Sequence, residues 1–267
     1  MGQEATQSDL QAAIKLRGAD VYAGFLMPHL RPGATVLDCG CGAGTITLGL
    51  AEAVLEGHVV GVDLDPGELK SAQRAAVSFG HQNLSWIAAD GSSLPFHGAI
   101  FDAVLCHSML ETLDDPAPVI AELRRVTKRG GVVGAASVEY DGIILAGEPT
   151  AGPRRFYEIR QRLWRAARIA EPNTGRRLRG LFQAARFGQV EAFADYISYG
   201  TPDRVSSFAS ERAAECRDRE LHATVTRYGI ASVEELLDLA TVWEKWGDDP
   251  SAFFAFAWCR VLAWCEK

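Results

Sequence analysis

Short apolar runs alternate with longer amphipathic stretches along the first half of the chain. Strands separated by helical stretches are typical of repeated βαβ units. The pattern therefore predicts an α/β fold with a mostly parallel sheet and helices on both faces. The runs have the length of buried strands, and they extend over Thr35 to Leu37, Val59 to Val62, Leu84 to Ile87, Phe101 to Leu105 and Val132 to Ala135.

The stretch between the fourth and fifth runs predicts one of these helices in detail. Asp114 and Asp115 can cap its amino terminus, and Pro116 suits its first turn. Gly130 and Gly131 predict its end. Its apolar face would consist of Val119, Ile120, Leu123 and Val126.

Helical patterns dominate the second half of the chain. Residues 154–187 and 203–247 predict helices, and residues 8–30 predict further helical segments before the first strand. Two more strands are predicted over Gln189 to Tyr199 and over Phe253 to Trp264. We expect one domain with helical insertions, because no linker or internal repeat interrupts the chain.

A glycine-rich turn follows the first predicted strand. Asp38 ends the strand, and Gly40, Gly42 and Gly44 follow at alternate positions. Glycine lets the backbone approach a ligand closely, and doubly wound sheets bind ligands at the carboxyl ends of their strands. We interpret the turn as a cofactor loop, although a purely structural turn is the alternative when it is taken alone.

An aspartate ends each of the first three predicted strands. Asp63 can accept hydrogen bonds from both hydroxyls of a ribose, although it could also cap a helix, since Pro66 follows. Asp90 suits the exocyclic amine of adenine, and a turn residue is the alternative. Three aspartates at the ends of successive strands, Asp38 included, are harder to explain as ordinary turn residues than one such aspartate alone.

The spacing of the glycines argues against a nicotinamide-dependent oxidoreductase. A dinucleotide fingerprint requires glycine where Thr45 stands, and a phosphate loop would end in Gly-Lys-Ser or Gly-Lys-Thr. The carboxylate of Asp38 would repel a pyrophosphate, whereas it could receive the ammonium group of an amino-acid-like cofactor.

The order of these motifs resembles class I S-adenosylmethionine-dependent methyltransferases, particularly the ubiquinone- and menaquinone-biosynthesis branch with its methyltransferase type 11 domain. The resemblance covers residues 17–140 and continues more weakly beyond them. It implies a Rossmann-like seven-stranded sheet whose last strand is antiparallel, and S-adenosyl-L-methionine as the cofactor. The matching runs are Leu37 to Gly44, Gly61 to Pro66, Ala89 to Phe96, Phe101 to Val104 and Glu122 to Gly131.

The resemblance also implies a cofactor site at the carboxyl ends of the strands. Asp38 and the glycines would surround the methionine part, Asp63 would bind the ribose, and Leu64 and Asp90 would contact the adenine. The implied residues are Asp38, Gly40, Cys41, Gly42, Gly44, Asp63, Leu64, Ala89, Asp90, Gly91, Cys106 and His107.

The loop after the fourth strand is where this family usually faces both cofactor and acceptor. His107 is the candidate general base, since an imidazole can exchange a proton near neutral pH. A role in shaping the pocket without proton exchange is the alternative. Glu111, Tyr140 and Asp141 are the candidate acceptor contacts.

Ten arginines stand between residues 154 and 186. We interpret them as a solvated helix face, with a lid that binds a carboxylate or phosphate as the alternative. The large aromatic residues of the second half are expected in the core rather than around a substrate. These are Phe156, Trp164, Trp243, Trp246 and Phe254.

The amino-acid composition limits the kinds of partner that we expect this protein to bind. A net charge of −7 over 267 residues argues against general nucleic-acid affinity. No apolar run approaches the roughly 20 residues that span a bilayer, so we expect a cytoplasmic protein with no membrane partner. The six cysteines form no paired CxxC clusters, so neither a metal site nor a disulfide framework is predicted. A homodimer is compatible with the sequence.

The sequence thus predicts methyl transfer to a small-molecule acceptor at O, N or C, by alignment and in-line attack on the sulfonium methyl. A protein that binds the cofactor without methyl transfer, as a regulatory module or a different catalyst, is the alternative. We expect N-terminal helices over the cofactor site at residues 1–33 and the cofactor-binding core at residues 34–140. Helical cap insertions and the last two strands would occupy residues 141–267.

Overall fold

The computed structural model describes residues 18–266. Residues 8–17 of the first predicted helical segment lie outside this range. Within it, the chain forms helix α1 at Ala19–Tyr22 and a 3₁₀ turn at Met27–His29. None of the helices in the described range combines the length and the apolar character that crossing a bilayer requires.

The described strands form one seven-stranded sheet in the order β3-β2-β1-β4-β5-β7-β6. Strands β1 to β5 run parallel to one another, whereas β7 runs antiparallel to both β5 and β6. The predicted Rossmann-like sheet with one antiparallel strand is therefore confirmed. The strands are β1 Thr35–Cys39, β2 His58–Asp63, β3 Leu84–Ala88, β4 Phe101–His107, β5 Thr127–Ala146, β6 Gln189–Tyr199 and β7 Phe253–Trp264.

The strand order reverses between β1 and β4, which are parallel neighbours in the centre of the sheet. In open α/β sheets, ligands bind in the crevice outside the carboxyl ends of the strands at such a reversal. The helices that connect the parallel strands are α2 Thr45–Ala53, α3 Pro66–Ser78 and α4 Ala117–Val126.

Helix α4 begins at Ala117, with Pro116 rather than an aspartate as its N-cap residue, and it ends earlier than predicted. Asp115 Oδ1 accepts a hydrogen bond from the Ala117 backbone N–H at 3.0 Å, and the four predicted apolar residues are buried. The helix stops before Thr127, which adopts an extended conformation and starts β5. The Thr127 hydroxyl donates to the Leu123 carbonyl at 2.6 Å. The prediction that Gly130 and Gly131 end the helix was wrong, because the backbone already leaves the helical conformation at Thr127, where β5 begins.

Helices from the second half form a cap with its own apolar core, in which Phe156, Trp243, Trp246 and Phe254 are fully buried as predicted. Trp164 differs, because its side chain is only half-buried and lines a cavity. The helices of this half are α5 Ala151–Ala166, α6 Leu178–Ala184, α7 Pro202–Cys216, α8 Arg219–Arg227 and α9 Val233–Gly247, with a 3₁₀ turn at Gly175–Arg177.

Strand β5 joins the sheet to the cap. It continues past Tyr140 as far as Ala146, and its last residues pair with the start of β7 after a register shift. The Trp246 Nε1–H of α9 donates to the Ala146 carbonyl at 2.8 Å. Because one long strand belongs to both parts, the cap is fixed over the carboxyl ends of the parallel strands.

Candidate active site

The glycine turn after β1 adopts backbone conformations that few other residues tolerate. Gly40, Gly42 and Gly44 have φ angles of 80°, 50° and 78°. The backbone N–H groups of Gly40 and Cys41 donate to the Val62 carbonyl at 2.8 and 3.0 Å, which holds the turn against the end of β2. These positive φ angles explain why glycine recurs at alternate positions.

The glycines of the turn have different surroundings. A Cβ on Gly44 would lie 2.7 Å from the Trp86 ring of β3 and 2.9 Å from the Ala72 Cβ of α3, so this glycine lets the start of α2 lie close to both elements. A Cβ on Gly42 would meet nothing closer than Glu68 Oε2 at 4.0 Å. The turn therefore presents open backbone to the crevice at Gly42, as a loop that holds a ligand requires.

Asp63 links the turn to the end of β2. Its Oδ2 accepts from the Gly42 backbone N–H at 2.8 Å, and its Oδ1 accepts from the Asp65 backbone N–H at 3.0 Å. Each carboxylate oxygen keeps a further acceptor site. Helix α3 is capped by Asp65, whose Oδ1 accepts from the Gly67 N–H at 2.7 Å. Helix capping is therefore not the role of Asp63.

Asp38 is the most buried of the three strand-end carboxylates, with 2% of its surface exposed. The Thr47 hydroxyl donates to its Oδ2 at 2.6 Å. Burial raises the pKa of Asp38 to about 6, the hydrogen bond from Thr47 opposes this, and the nearby charge of Asp63 adds to it. Such a carboxylate gains most from a partner that brings a positive charge.

Leu64 and Asp90 complete this side of the crevice. The Leu64 side chain is 72% exposed, which is unusual for a leucine beside a strand end. Asp90 Oδ1 accepts from both the backbone N–H and the hydroxyl of Ser92 at 2.7 Å, and these bonds lower the pKa of Asp90. Gly91 packs closely, since a Cβ there would lie 2.7 Å from Met109 Cε.

These residues fit S-adenosylmethionine. The sheet order places the ends of β3, β2 and β1 side by side, so the adenine, ribose and methionine contacts implied by the resemblance follow one another along the edge. The open backbone at Gly42 and the unused acceptor sites of Asp63 lie between the other two aspartates in that row. Among residues 18–266, no group of three His, Cys, Asp or Glu side chains is placed to hold a metal ion.

His107 ends β4 inside an aromatic stack. Its ring is stacked on Trp258, with centroids 4.6 Å apart, and meets the edge of Tyr22 at 5.1 Å. The side chain is 6% exposed. The neighbouring Cys106 thiol contacts Met109 Sδ at 3.8 Å, and burial raises the pKa of this thiol well above its ordinary value.

A cavity of about 480 Å³ opens beyond this stack, between the ends of β4 and β5 and the cap. Ser108 lies at its edge with a φ of 53°, a strained conformation of the kind that clusters at functional sites. Its aromatic lining comprises Tyr22, Tyr140, Trp164, Tyr199, Phe208, Phe256 and Trp258. Its polar lining includes Ser108, Glu111, Arg204, Ser207, Glu211 and Arg212.

The structure places two of the three predicted acceptor contacts at the cavity and the third outside it. Glu111 and Tyr140 line the cavity, whereas the exposed Asp141 is not among the lining residues and pairs with Arg176 at 2.8 Å. Glu111 Oε2 accepts from the Ser137 hydroxyl at 2.6 Å, and burial raises the pKa of Glu111. Burial also raises the pKa of Tyr140, so its phenol stays protonated.

The arginine-rich stretch is largely an ion-paired surface. Many of its arginines contact carboxylates, as the prediction of a solvated face implies. The pairs include Arg155 with Glu158 and Glu235, Arg160 with Glu215, Arg165 with Glu171, Arg168 with Asp114, and Arg176 with Glu139 and Asp141.

Sequence reasoning missed most of the cavity wall. Tyr22, Tyr199, Arg204 and Trp258 come from α1, β6, α7 and β7, and no local pattern marks them as neighbours. Trp164 has the same helical spacing as buried core residues and was predicted to be one of them. One signal was available, the concentration of aromatic residues in Phe253 to Trp264, from which we predicted only a strand.

Comparisons with known proteins agree with the geometry. A methyltransferase domain family matches residues 37–134. A probable methyltransferase from Aspergillus luteorubrus is 29% identical, with the match covering 93% of this chain and 91% of the relative. The demethylmenaquinone methyltransferase of Renibacterium salmoninarum is 36% identical over 46% of each chain.

A solved structure shares the fold. The phosphoethanolamine N-methyltransferase 2 of Haemonchus contortus, in complex with S-adenosylhomocysteine, superposes with a TM-score of 0.60 at 17% identity, covering 98% of this chain and 58% of that one. The dinucleotide-binding order 3-2-1-4-5-6 lacks the antiparallel strand that stands here between β5 and β6. The nicotinamide alternative therefore fails on topology as well as on the glycine spacing. The chain carries an S-adenosylmethionine-dependent methyltransferase domain.

Proposed function

We propose that the enzyme methylates a small-molecule acceptor that binds in the aromatic cavity. One observation carries this proposal: the cavity begins at Ser108 and Glu111, directly after β4, whose neighbour β1 leads into the glycine turn. Its volume of about 480 Å³ falls within the range of roughly 300–1,000 Å³ that is usual for small-molecule sites.

The name of one relative supports a small acceptor. The protein from Renibacterium salmoninarum is named for demethylmenaquinone, a small molecule, although the match covers only 46% of either chain. The match covers less than half of this chain, whereas the cavity wall draws on residues from Tyr22 to Trp258. The relative therefore supports only the small size of the acceptor. The residues of the cavity indicate which chemical groups the acceptor carries.

The cofactor contacts of the proposal follow the row of strand ends. Asp38 receives the ammonium group, Asp63 the ribose hydroxyls, and Asp90 the adenine amine. Leu64, whose side chain is 72% exposed at the end of β2, covers the adenine. The remaining residues of the proposed site are Gly40, Cys41, Gly42, Gly44, Ala89, Gly91, Cys106 and His107.

When bound, S-adenosylmethionine supplies a methyl group that its sulfonium already activates. The chain then has to align the acceptor, exclude water and take up any proton that the acceptor loses. The aromatic lining and the cap serve the first two tasks. Glu111 is placed for the third, because it is a buried carboxylate whose raised pKa brings it closer to that of an efficient base.

We assign His107 a shaping role in this proposal. Its ring supports Trp258 and Tyr22, both of which line the cavity, whereas His107 itself is not among the lining residues. Loss of the ring would therefore move two walls of the cavity. The earlier prediction that His107 is the general base stays a prediction, and the pH profiles described below distinguish it from Glu111.

A product scan tests the proposal. The enzyme is incubated with deuteromethyl-labelled S-adenosylmethionine and mixtures of phenols, carboxylic acids, amines and quinols, and products are measured by mass spectrometry. We expect one labelled product for each S-adenosylhomocysteine formed, and loss of that product in Ser207→Trp, which fills the cavity. Conversion of an added compound without formation of S-adenosylhomocysteine would instead support a catalyst that does not transfer methyl groups.

A further inference from the structure

One face of helix α7 forms a wall of the acceptor cavity. Arg204, Ser207, Phe208, Glu211 and Arg212 line the cavity from this helix. They follow one another at offsets of three, four, seven and eight positions from Arg204, which places them on one side of an α-helix. The wall therefore carries two guanidinium groups and one carboxylate.

Arg212 already has counter-charges within the protein. Its Nη2 lies 3.4 Å from Glu211 Oε2, and its Nε lies 3.4 Å from Glu215 Oε2. Arg160 pairs with the same Glu215 at 3.0 Å. Two arginines and two glutamates thus balance one another, and this group offers no excess charge to a ligand.

Arg204 has no such counter-charge among residues 18–266. Its guanidinium lies over the ring of Tyr199, with Cζ 5.1 Å from the centroid, and Tyr199 also lines the cavity. Its Nε is buried without a hydrogen-bond acceptor in the described part of the chain. An arginine that lines a cavity without a counter-charge can bind an anionic group of a ligand through charge-assisted hydrogen bonds of its guanidinium.

Three of the seven aromatic rings of the lining are already occupied by protein cations. An ammonium group binds best over a free aromatic face. Here three of the lining rings already have a protein cation over them, and a ligand cation would be repelled by those groups. The pairs are Arg160 over Trp164 at 4.8 Å, Arg204 over Tyr199 at 5.1 Å and Arg212 over Phe208 at 5.2 Å.

We propose that Arg204 binds an anionic oxygen group of the methyl acceptor, a carboxylate or a phosphate. The planar guanidinium donates two parallel hydrogen bonds to either group, and this fixes the orientation of the acceptor as well as its affinity. The anionic group then lies on the α7 side of the cavity, and the atom to be methylated lies on the sheet side, near Ser108 and Glu111. This inference rests on the proposed acceptor cavity.

Calorimetry with matched probes tests the inference. 2-Naphthoate, its neutral analogue 2-naphthamide and 2-naphthyl phosphate are titrated into the enzyme saturated with S-adenosylhomocysteine. We expect one or both anions to bind about tenfold or more tightly than the amide. Arg204→Gln should abolish the preference and Arg204→Lys should keep part of it. The control Arg217→Gln, which removes an arginine paired with Glu244, should leave it unchanged. The two anions show whether carboxylate or phosphate is preferred.

The outcomes separate this inference from the proposed function. If the native enzyme binds the anions and the amide equally well, the proposed role of Arg204 is wrong. The same holds if it binds none of the probes. A preference that survives Arg204→Gln would overturn that role as well. If instead Ser207→Trp leaves probe binding unchanged, the probes bind elsewhere, and the proposed acceptor cavity itself is wrong.

Discussion

The buried guanidinium of Arg260 donates a hydrogen bond from Nη1 to the backbone carbonyl of Tyr22 at 2.8 Å. Its Nη2 reaches the Val21 carbonyl at 3.3 Å, and its Nε donates to Asp195 Oδ1 at 2.8 Å. One side chain of β7 therefore joins the edge strand β6 to helix α1. Because Tyr22 lines the cavity, Arg260 holds one wall of the acceptor site from behind.

We expect Arg260→Lys to loosen that wall. A single ammonium cannot reproduce the three directed contacts of the guanidinium, so the free energy of unfolding should fall by about 1–3 kcal/mol. The KM for the acceptor should rise, while the affinity for S-adenosylhomocysteine changes little. Urea denaturation, steady-state kinetics and calorimetry measure the three quantities.

Arg168→Lys is the matched control for Arg260, because its pair with Asp114 is exposed on both sides. Exposed pairs contribute about 0–1 kcal/mol, so this variant should be nearly neutral in all three measurements. A loss of cofactor affinity in Arg260→Lys with an unchanged KM for the acceptor would show that α1 belongs to the cofactor site instead.

Asp63→Ala should weaken binding of S-adenosylhomocysteine by about 2–3 kcal/mol, as expected for charge-assisted hydrogen bonds in a site that excludes water. The substitution also frees the Gly42 N–H, so the glycine turn loses one of its contacts with the end of β2, while the bonds from Gly40 and Cys41 to the Val62 carbonyl remain. Asp65→Ala is the control. It removes the α3 cap and about 1 kcal/mol of stability, but it should leave the affinity within a few-fold. Equal losses of affinity in the two variants would contradict the ribose contact.

The strand ends were predictable, whereas the cavity wall was not, and the difference has a physical cause. Asp38, Asp63 and Asp90 each follow an apolar run, so local periodicity places them at one edge of a parallel sheet. Tyr22 and Trp258 become neighbours of His107 only through the antiparallel pairing of β5 with β7 and the anchoring of α1. Helical spacing likewise could not distinguish the cavity-lining Trp164 from buried core aromatics, because both satisfy the same amphipathic pattern.

Cofactor binding should depend on pH through Asp38. Its pKa of about 6 in the protein without ligand means that the carboxylate is charged above this pH and neutral below it. Only the charged form pairs with the ammonium group of the cofactor. The affinity for S-adenosylhomocysteine should therefore be constant well above pH 6 and fall about tenfold per pH unit well below it.

Two variants check the assignment to Asp38. Asp38→Asn should bind weakly at every pH and lose the inflection. Thr47→Val removes the hydrogen bond that opposes the rise in the pKa of Asp38, so its inflection should move to higher pH. Calorimetry between pH 5 and pH 8 measures both, and an inflection that survives in Asp38→Asn would assign the titration to another group.

When the substrate to be methylated has an ionisable O–H or N–H, we expect Glu111 to take up its proton. Burial raises the pKa of Glu111, and only its deprotonated form accepts a proton, so kcat should increase as pH rises through that pKa. Glu111→Gln keeps the size of the side chain, and it should lower kcat by about 10²-fold and remove this limb of the profile. His107→Phe keeps an aromatic ring beside Trp258 and Tyr22, so it should retain the limb and most of the rate. The opposite result, with the limb lost in His107→Phe and kept in Glu111→Gln, would make the imidazole the base and leave Glu111 to position the acceptor.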